Sequence, residues 1–106
     1  MNAHIYPIVS ELRQRLEALY GPRLVKMILY GSQARGDAEP GSDIDVLVVL
    51  GGSVQPGEEI ERTGEAVADL SLRFGAVISC VFMDNARFTD RNGPLLRNVR
   101  REGVVI

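Results

Sequence analysis

Apolar positions recur along this chain with two different periods, and their alternation sets out its elements. Ile8, Val9, Leu12, Leu16, Leu19 and Tyr20 fall at helical spacing, with Glu11, Arg13, Gln14, Arg15 and Glu17 between them. This pattern predicts an amphipathic helix over 7–20, with Pro7 at its first position and Gly21-Pro22 as its stop. Leu24 to Tyr30 is nearly all apolar, broken by Lys26 near its start, and predicts a strand covered on both faces. A short helix is expected to start around Ser32, and 37–42 reads as a polar turn containing Pro40-Gly41. Residues 43–50 form a second strand. The connection is short enough for neighbouring antiparallel strands.

After a loop over 51–57, Ile60, Thr63, Val67, Leu70 and Phe74 form one stripe of a helix over 58–74, closed by Gly75. Glu58, Glu59 and Glu61 are placed in its first turn, where they complement the helix dipole. Gly64, inside the helix, suggests close packing against a strand. Residues 76–83 predict a third strand, followed by a helical turn around 86–88 with Asp84 as its cap. Pro94 opens a helix over 94–102 that packs through Leu95, Leu96 and Val99 and ends at Gly103. Val104-Val105-Ile106 reads as a terminal edge strand or a docked apolar tail. The expected fold class is α/β, one domain over 1–106 with a mixed β-sheet flanked by helices.

Composition narrows the class. A hydrophobic fraction of 45% and a charged fraction of 25% are those of an ordinary globular domain. The net charge of −2 argues against a general nucleic-acid-binding surface. The one cysteine, Cys80, lies in an apolar run, cannot form an internal disulfide and reads as a buried structural thiol. No apolar run is long enough to cross a bilayer, and the N-terminus has no secretory pattern, so the cytoplasm is the expected location. His4, the only histidine, reads as an exposed terminal residue. The arginines at 87, 91, 97, 100 and 101 make the C-terminal part basic. The helix dipole accounts for part of this, and an anion- or partner-binding patch is the alternative.

Candidate chemistry concentrates between Gly31 and Asp45. The first strand runs into Gly31-Ser32; after ten intervening residues the second strand opens with Asp43-Ile44-Asp45. Alternation along a strand puts Asp43 and Asp45 on one face, where their repulsion favours a hard cation such as Mg²⁺. Gly31 permits a close backbone approach to a phosphate. Ser32 supplies a hydroxyl at a turn with free N–H groups. Arg35 either neutralises a phosphate or pairs with Asp37 or Asp43.

Gly31, Ser32, Arg35, Gly36, Ser42, Asp43 and Asp45, set between two strands, resemble the nucleotidyltransferase superfamily that includes DNA polymerase β. More narrowly they resemble its minimal nucleotidyltransferases, the MNT group, which act beside HEPN proteins as antitoxins. The resemblance implies Mg²⁺-dependent transfer of AMP from ATP to a hydroxyl, here of a HEPN-type protein partner. Asp43 and Asp45 would be the catalytic metal ligands, with Gly31, Ser32, Arg35 and Ser42 binding nucleotide. The site is expected at one edge of the sheet.

The third strand departs from the family pattern. The superfamily's third metal carboxylate belongs there, yet 76–83 holds no Asp or Glu; Ser79 is its one strongly polar side chain and Asp84 follows it. Two readings stay open: an active protein adenylyltransferase, or a catalytically weak or inactive nucleotide- or protein-binding module. Transfer to a small molecule is a third; its acceptor pocket would need an oligomer interface or a partner.

Overall fold

The computed structural model describes residues 3–39 and 41–106. Its elements are α1 (Tyr6–Tyr20), β1 (Leu24–Tyr30), α2 (Ser32–Arg35), β2 (Ile44–Leu50), α3 (Pro56–Phe74), β3 (Ile78–Asp84), α4 (Asn85–Asp90), α5 (Pro94–Glu102) and β4 (Val104–Val105). Single 3₁₀ turns, Ala3–Ile5 and Gly21–Arg23, flank α1. His4 lies exposed in the first of them.

The four strands form one sheet in the order β3-β2-β1-β4. The short β1–β2 connection makes that pair antiparallel, and the return through α3 makes β2–β3 parallel. The last three residues supply the far edge: Val104 and Val105 pair antiparallel with Leu29 and Ile28, and the Ile106 N–H donates to the Met27 carbonyl at 3.0 Å.

Side-chain alternation divides the core between the sheet's two faces. Met27, Leu29, Ile44, Val46, Val48 and Leu50 pack against Ile8, Leu12 and Leu16 of α1 and Leu70 of α3. Ile28, Leu47 and Val49 pack against Leu96 and Val99 of α5. The inner strand β2 is thus sealed on both faces, as its apolar run requires. Arg15–Asp69 at 2.6 Å and Arg73–Glu11 tie α1 to α3 outside the core, and Arg73 also meets Asp69 within α3 at 3.3 Å.

Four details differ from the sequence reading. The helix α3 starts two residues early because Pro56 occupies its first turn, which leaves Glu61 beyond that turn. Glu59 is not a solvated dipole partner. It is buried, accepting from the Tyr20 hydroxyl at 2.7 Å and Arg62 at 2.6 Å, with Arg23 at 3.5 Å. A Cβ at Gly64 would meet nothing within 4 Å, so close packing does not explain that glycine. Ile60 and Phe74, at the ends of the predicted stripe, are exposed at 58% and 39%; the buried positions of α3 are Glu59, Thr63 and Leu70.

Candidate functional site

The strand β1 ends at Tyr30, and Gly31 turns the chain into α2 with φ +76°, a conformation that disfavours any side chain. Ala34 and Arg35 return their N–H groups to the Gly31 carbonyl, and Gly36 and Asp37 theirs to Ser32. The Ser32 and Gln33 amides, at the start of this turn, have no backbone partner among the described residues. Gly36, with φ +83°, ends α2 after one turn.

Across the turn, β2 brings in the carboxylates. A Cβ built on Gly31 would stand 2.7 Å from Asp45 Oδ2, so the Gly-Ser turn and this carboxylate are in direct contact. Asp43 is exposed just ahead of β2, and Asp45 is half-buried within it. Neither accepts a side-chain hydrogen bond or forms an ion pair among the described residues. Burial, then the neighbouring Asp43 charge, raises the Asp45 pKa. This is an anionic pair lacking a counter-charge. Hard oxygen donors placed in this way fit a divalent cation.

The surrounding residues fix the loop between the two motifs. Ser42 donates its N–H to the Glu39 carbonyl at 3.0 Å, and Gly41 sits at φ +84°. The Ser42 carbonyl accepts from Gln33 Nε2 at 3.3 Å. Gln33 is buried, with its Oε1 unpartnered. The Ser32 and Ser42 hydroxyls make no protein hydrogen bond among the described residues. Tyr30 lies opposite Asp45 in the antiparallel register; burial first, then the Asp45 charge, raises its pKa.

Arg35 takes the local ion pair. Its Nε meets Asp37 Oδ2 at 3.1 Å, and Nη1 reaches both oxygens of Glu102 at 3.1 Å. Glu102 brings the end of α5 to the site across 67 residues of chain, a contact no local pattern announces.

The site is not at a sheet edge. β1 and β2 are the inner strands, so it sits at one end of the central pair, with β3 beside it. In the parallel register Ser79 pairs with Asp45 and shares its face, while Asp84 pairs with Leu50. Five residues separate the two levels, about 16 Å along a strand. Asp84 therefore lies at the far end, where it accepts the Arg87 N–H at 2.7 Å and caps α4. Cys80 is half-buried on the other face, packed against the α1–α3 core, and burial pushes its thiol up to about 12. Among the described residues no three His, Cys, Asp or Glu side chains group as a metal site.

Comparison with known proteins places this geometry. The model of a nucleotidyltransferase domain matches residues 9–102. A Methanocaldococcus jannaschii protein named a putative protein adenylyltransferase is 34% identical over 99 residues, 92% of this chain and 93% of that protein. The crystal structure of a putative nucleotidyltransferase from Sulfolobus solfataricus aligns with a TM-score of 0.67 at 20% identity, covering 96% of this chain and 78% of its own. A chain from the complex of a tri-AMPylated Shewanella oneidensis HEPN toxin with an MNT antitoxin aligns with a TM-score of 0.54 at 16% identity, covering 92% and 70%. At such identities the two structures bear on the fold alone.

Proposed function

The chain belongs to the nucleotidyltransferase domain family, and from that premise we propose that it transfers AMP from ATP to a hydroxyl of a HEPN-type protein partner, in an antitoxin role. The carrying observation is the contact of the Gly31 turn with the unneutralised Asp43–Asp45 pair. In the reaction the acceptor oxygen bonds to the α-phosphorus, the bond to the bridging oxygen breaks, pyrophosphate leaves and the hydroxyl proton is released. The free amides at Ser32 and Gln33 and the Ser32 and Ser42 hydroxyls suit the phosphates, which Gly31 lets approach closely. Asp43 and Asp45 would hold Mg²⁺. When bound, this ion supplies Lewis-acid stabilisation of the charge on the phosphates. Arg35 is the least available member of the set, because a phosphate would compete with Asp37 and Glu102 for it. The name of the M. jannaschii relative supports AMP as the transferred group; the HEPN-type acceptor is taken by analogy from the resemblance to MNT antitoxins.

A second reading rests on β3. The position beside Asp45 is the neutral Ser79, and Asp84 is at the far end, so two carboxylates stand where the family pattern has three. This arrangement favours nucleotide binding with slow or absent transfer.

The test is incubation with ATP, Mg²⁺ and a HEPN-type partner, followed by mass spectrometry for added AMP. A hydroxyl-linked adduct, lost in Asp43→Asn/Asp45→Asn, is the expected result. ATP·Mg²⁺ binding without an adduct selects the second reading. Absence of binding removes both.

A further inference from the structure

Seven of the eleven arginines form ion pairs: Arg13, Arg15, Arg23, Arg35, Arg62, Arg73 and Arg87. The other four, Arg91, Arg97, Arg100 and Arg101, meet no carboxylate among the described residues, and all are exposed. They lie within eleven positions of one another, in a chain whose net charge is −2. The helix dipole accounts for Arg100 and Arg101 in the last turn of α5. It works against Arg91, which precedes the helix N-terminus, and gives nothing to Arg97. Arg97, Arg100 and Arg101 stand at i, i+3 and i+4, a contiguous exposed stripe flanking the buried Leu96 and Val99. Arg97 and Arg100 are held on this face by the Asn92 carbonyl at 3.1 Å and Asn92 Oδ1 at 3.0 Å. Arg100 also donates to the Phe88 carbonyl at 2.6 Å. The stripe ends beside the candidate site, since Glu102 of the same helix binds Arg35.

We infer that this arginine face of α5 and the preceding turn is a docking surface for an acidic polypeptide segment of a partner protein. Guanidinium groups pair bidentately with carboxylates, and the face lacks the counter-charges that the other arginines of this chain have. A single-stranded nucleic acid fits less well. Lys26 Nζ and the Arg100 guanidinium cover the Phe88 ring at 5.3 and 5.7 Å, so that ring offers no free platform for a base. The surface goes beyond AMP transfer and does not depend on it.

Fluorescence anisotropy with a labelled hexaglutamate peptide, without nucleotide or metal, tests the proposal, with labelled hexauridylate as the second arm. The whole chain should bind the peptide in low salt and lose affinity as salt rises. Arg91→Gln/Arg97→Gln/Arg100→Gln/Arg101→Gln should weaken binding by about tenfold or more, and Arg15→Gln should leave it unchanged. Arg91→Gln/Arg101→Gln, which removes no bond to Phe88 or Asn92, should give an intermediate loss and keeps the test valid if the fourfold variant unfolds. Equal peptide binding by parent and variants overturns the proposal, as does no binding by the parent. Tighter binding of hexauridylate than of the peptide overturns it in favour of nucleic acid.

Discussion

The Asp45 carboxylate fills the space that a side chain on Gly31 would need: a Cβ there would lie 2.7 Å from Oδ2. Gly31→Ala should therefore act twice, through a strained φ of +76° and through displacement of the carboxylate. Gly36→Ala separates the effects, because Gly36 has φ +83° and open space where a Cβ would stand. Strain alone should cost each variant about 1–2 kcal/mol in thermal unfolding. ATP·Mg²⁺ binding, measured by calorimetry, should fall much further in Gly31→Ala than in Gly36→Ala.

The strands and helices of this fold were legible because their apolar periods are strong and glycines and prolines punctuate them. The Gly-Ser turn and the Asp pair were legible because each joins a strand end. The position of the site within the sheet was not, since strand order depends on where β4 docks, and a two-residue strand carries almost no local pattern. Glu59 was misplaced for a related reason. Its burial depends on Tyr20, at the end of another helix, and the sequence around Glu59 looks like an ordinary acidic first turn. Gln33 and Glu102 escaped notice because their roles lie in contacts with Ser42 and Arg35 that neither residue's own surroundings imply.

Asp45 should weaken the fold at neutral pH. Its folded-state pKa is raised by burial and by Asp43, so the folded protein holds this proton more tightly than the unfolded chain does. Stability from this group therefore falls as pH rises through the window from the unfolded carboxylate value to the raised one, and is regained on acidification. Asp45→Asn should raise the melting temperature at pH 7, and the gain should shrink on acidification. Added Mg²⁺ should raise the parent's melting temperature and leave the variant's unchanged.

Tyr20 gives the opposite end of the pH profile. Burial first, then its hydrogen bond to Glu59 and that carboxylate's charge, holds the phenol above its ordinary value. The folded state keeps the proton while the unfolded chain ionises, so stability should decline as pH rises above about 10. Tyr20→Phe should flatten that part of the profile. Glu59→Ala should cost roughly 2 kcal/mol at pH 7 by leaving the Tyr20 hydroxyl unsatisfied, and chemical denaturation would measure it.

The register between β2 and β3 separates two residues that adjoin in the sequence reading of the metal site. Ser79 lies level with Asp45 on the same face, and Asp84 lies level with Leu50 at the other end of the strand. Ser79→Asp should thus add a carboxylate beside the existing pair. If transfer is limited by an incomplete set, its rate should rise, by up to two or three orders of magnitude for one well-placed stabilising group. Without metal the variant should melt lower than the parent, because a third charge joins an already repelling pair. Asp84→Ala removes the α4 cap and the Arg87 ion pair, both at the far end of the strand, so it should cost about 1 kcal/mol of stability and leave AMP transfer unchanged. Transfer assays on the two variants, with melting curves in the presence and absence of Mg²⁺, check all four outcomes. A rate abolished by Asp84→Ala at unchanged ATP·Mg²⁺ affinity would mean that the strand register does not set the metal site. A Ser79→Asp variant no faster than a rapid parent would mean that the set is already complete.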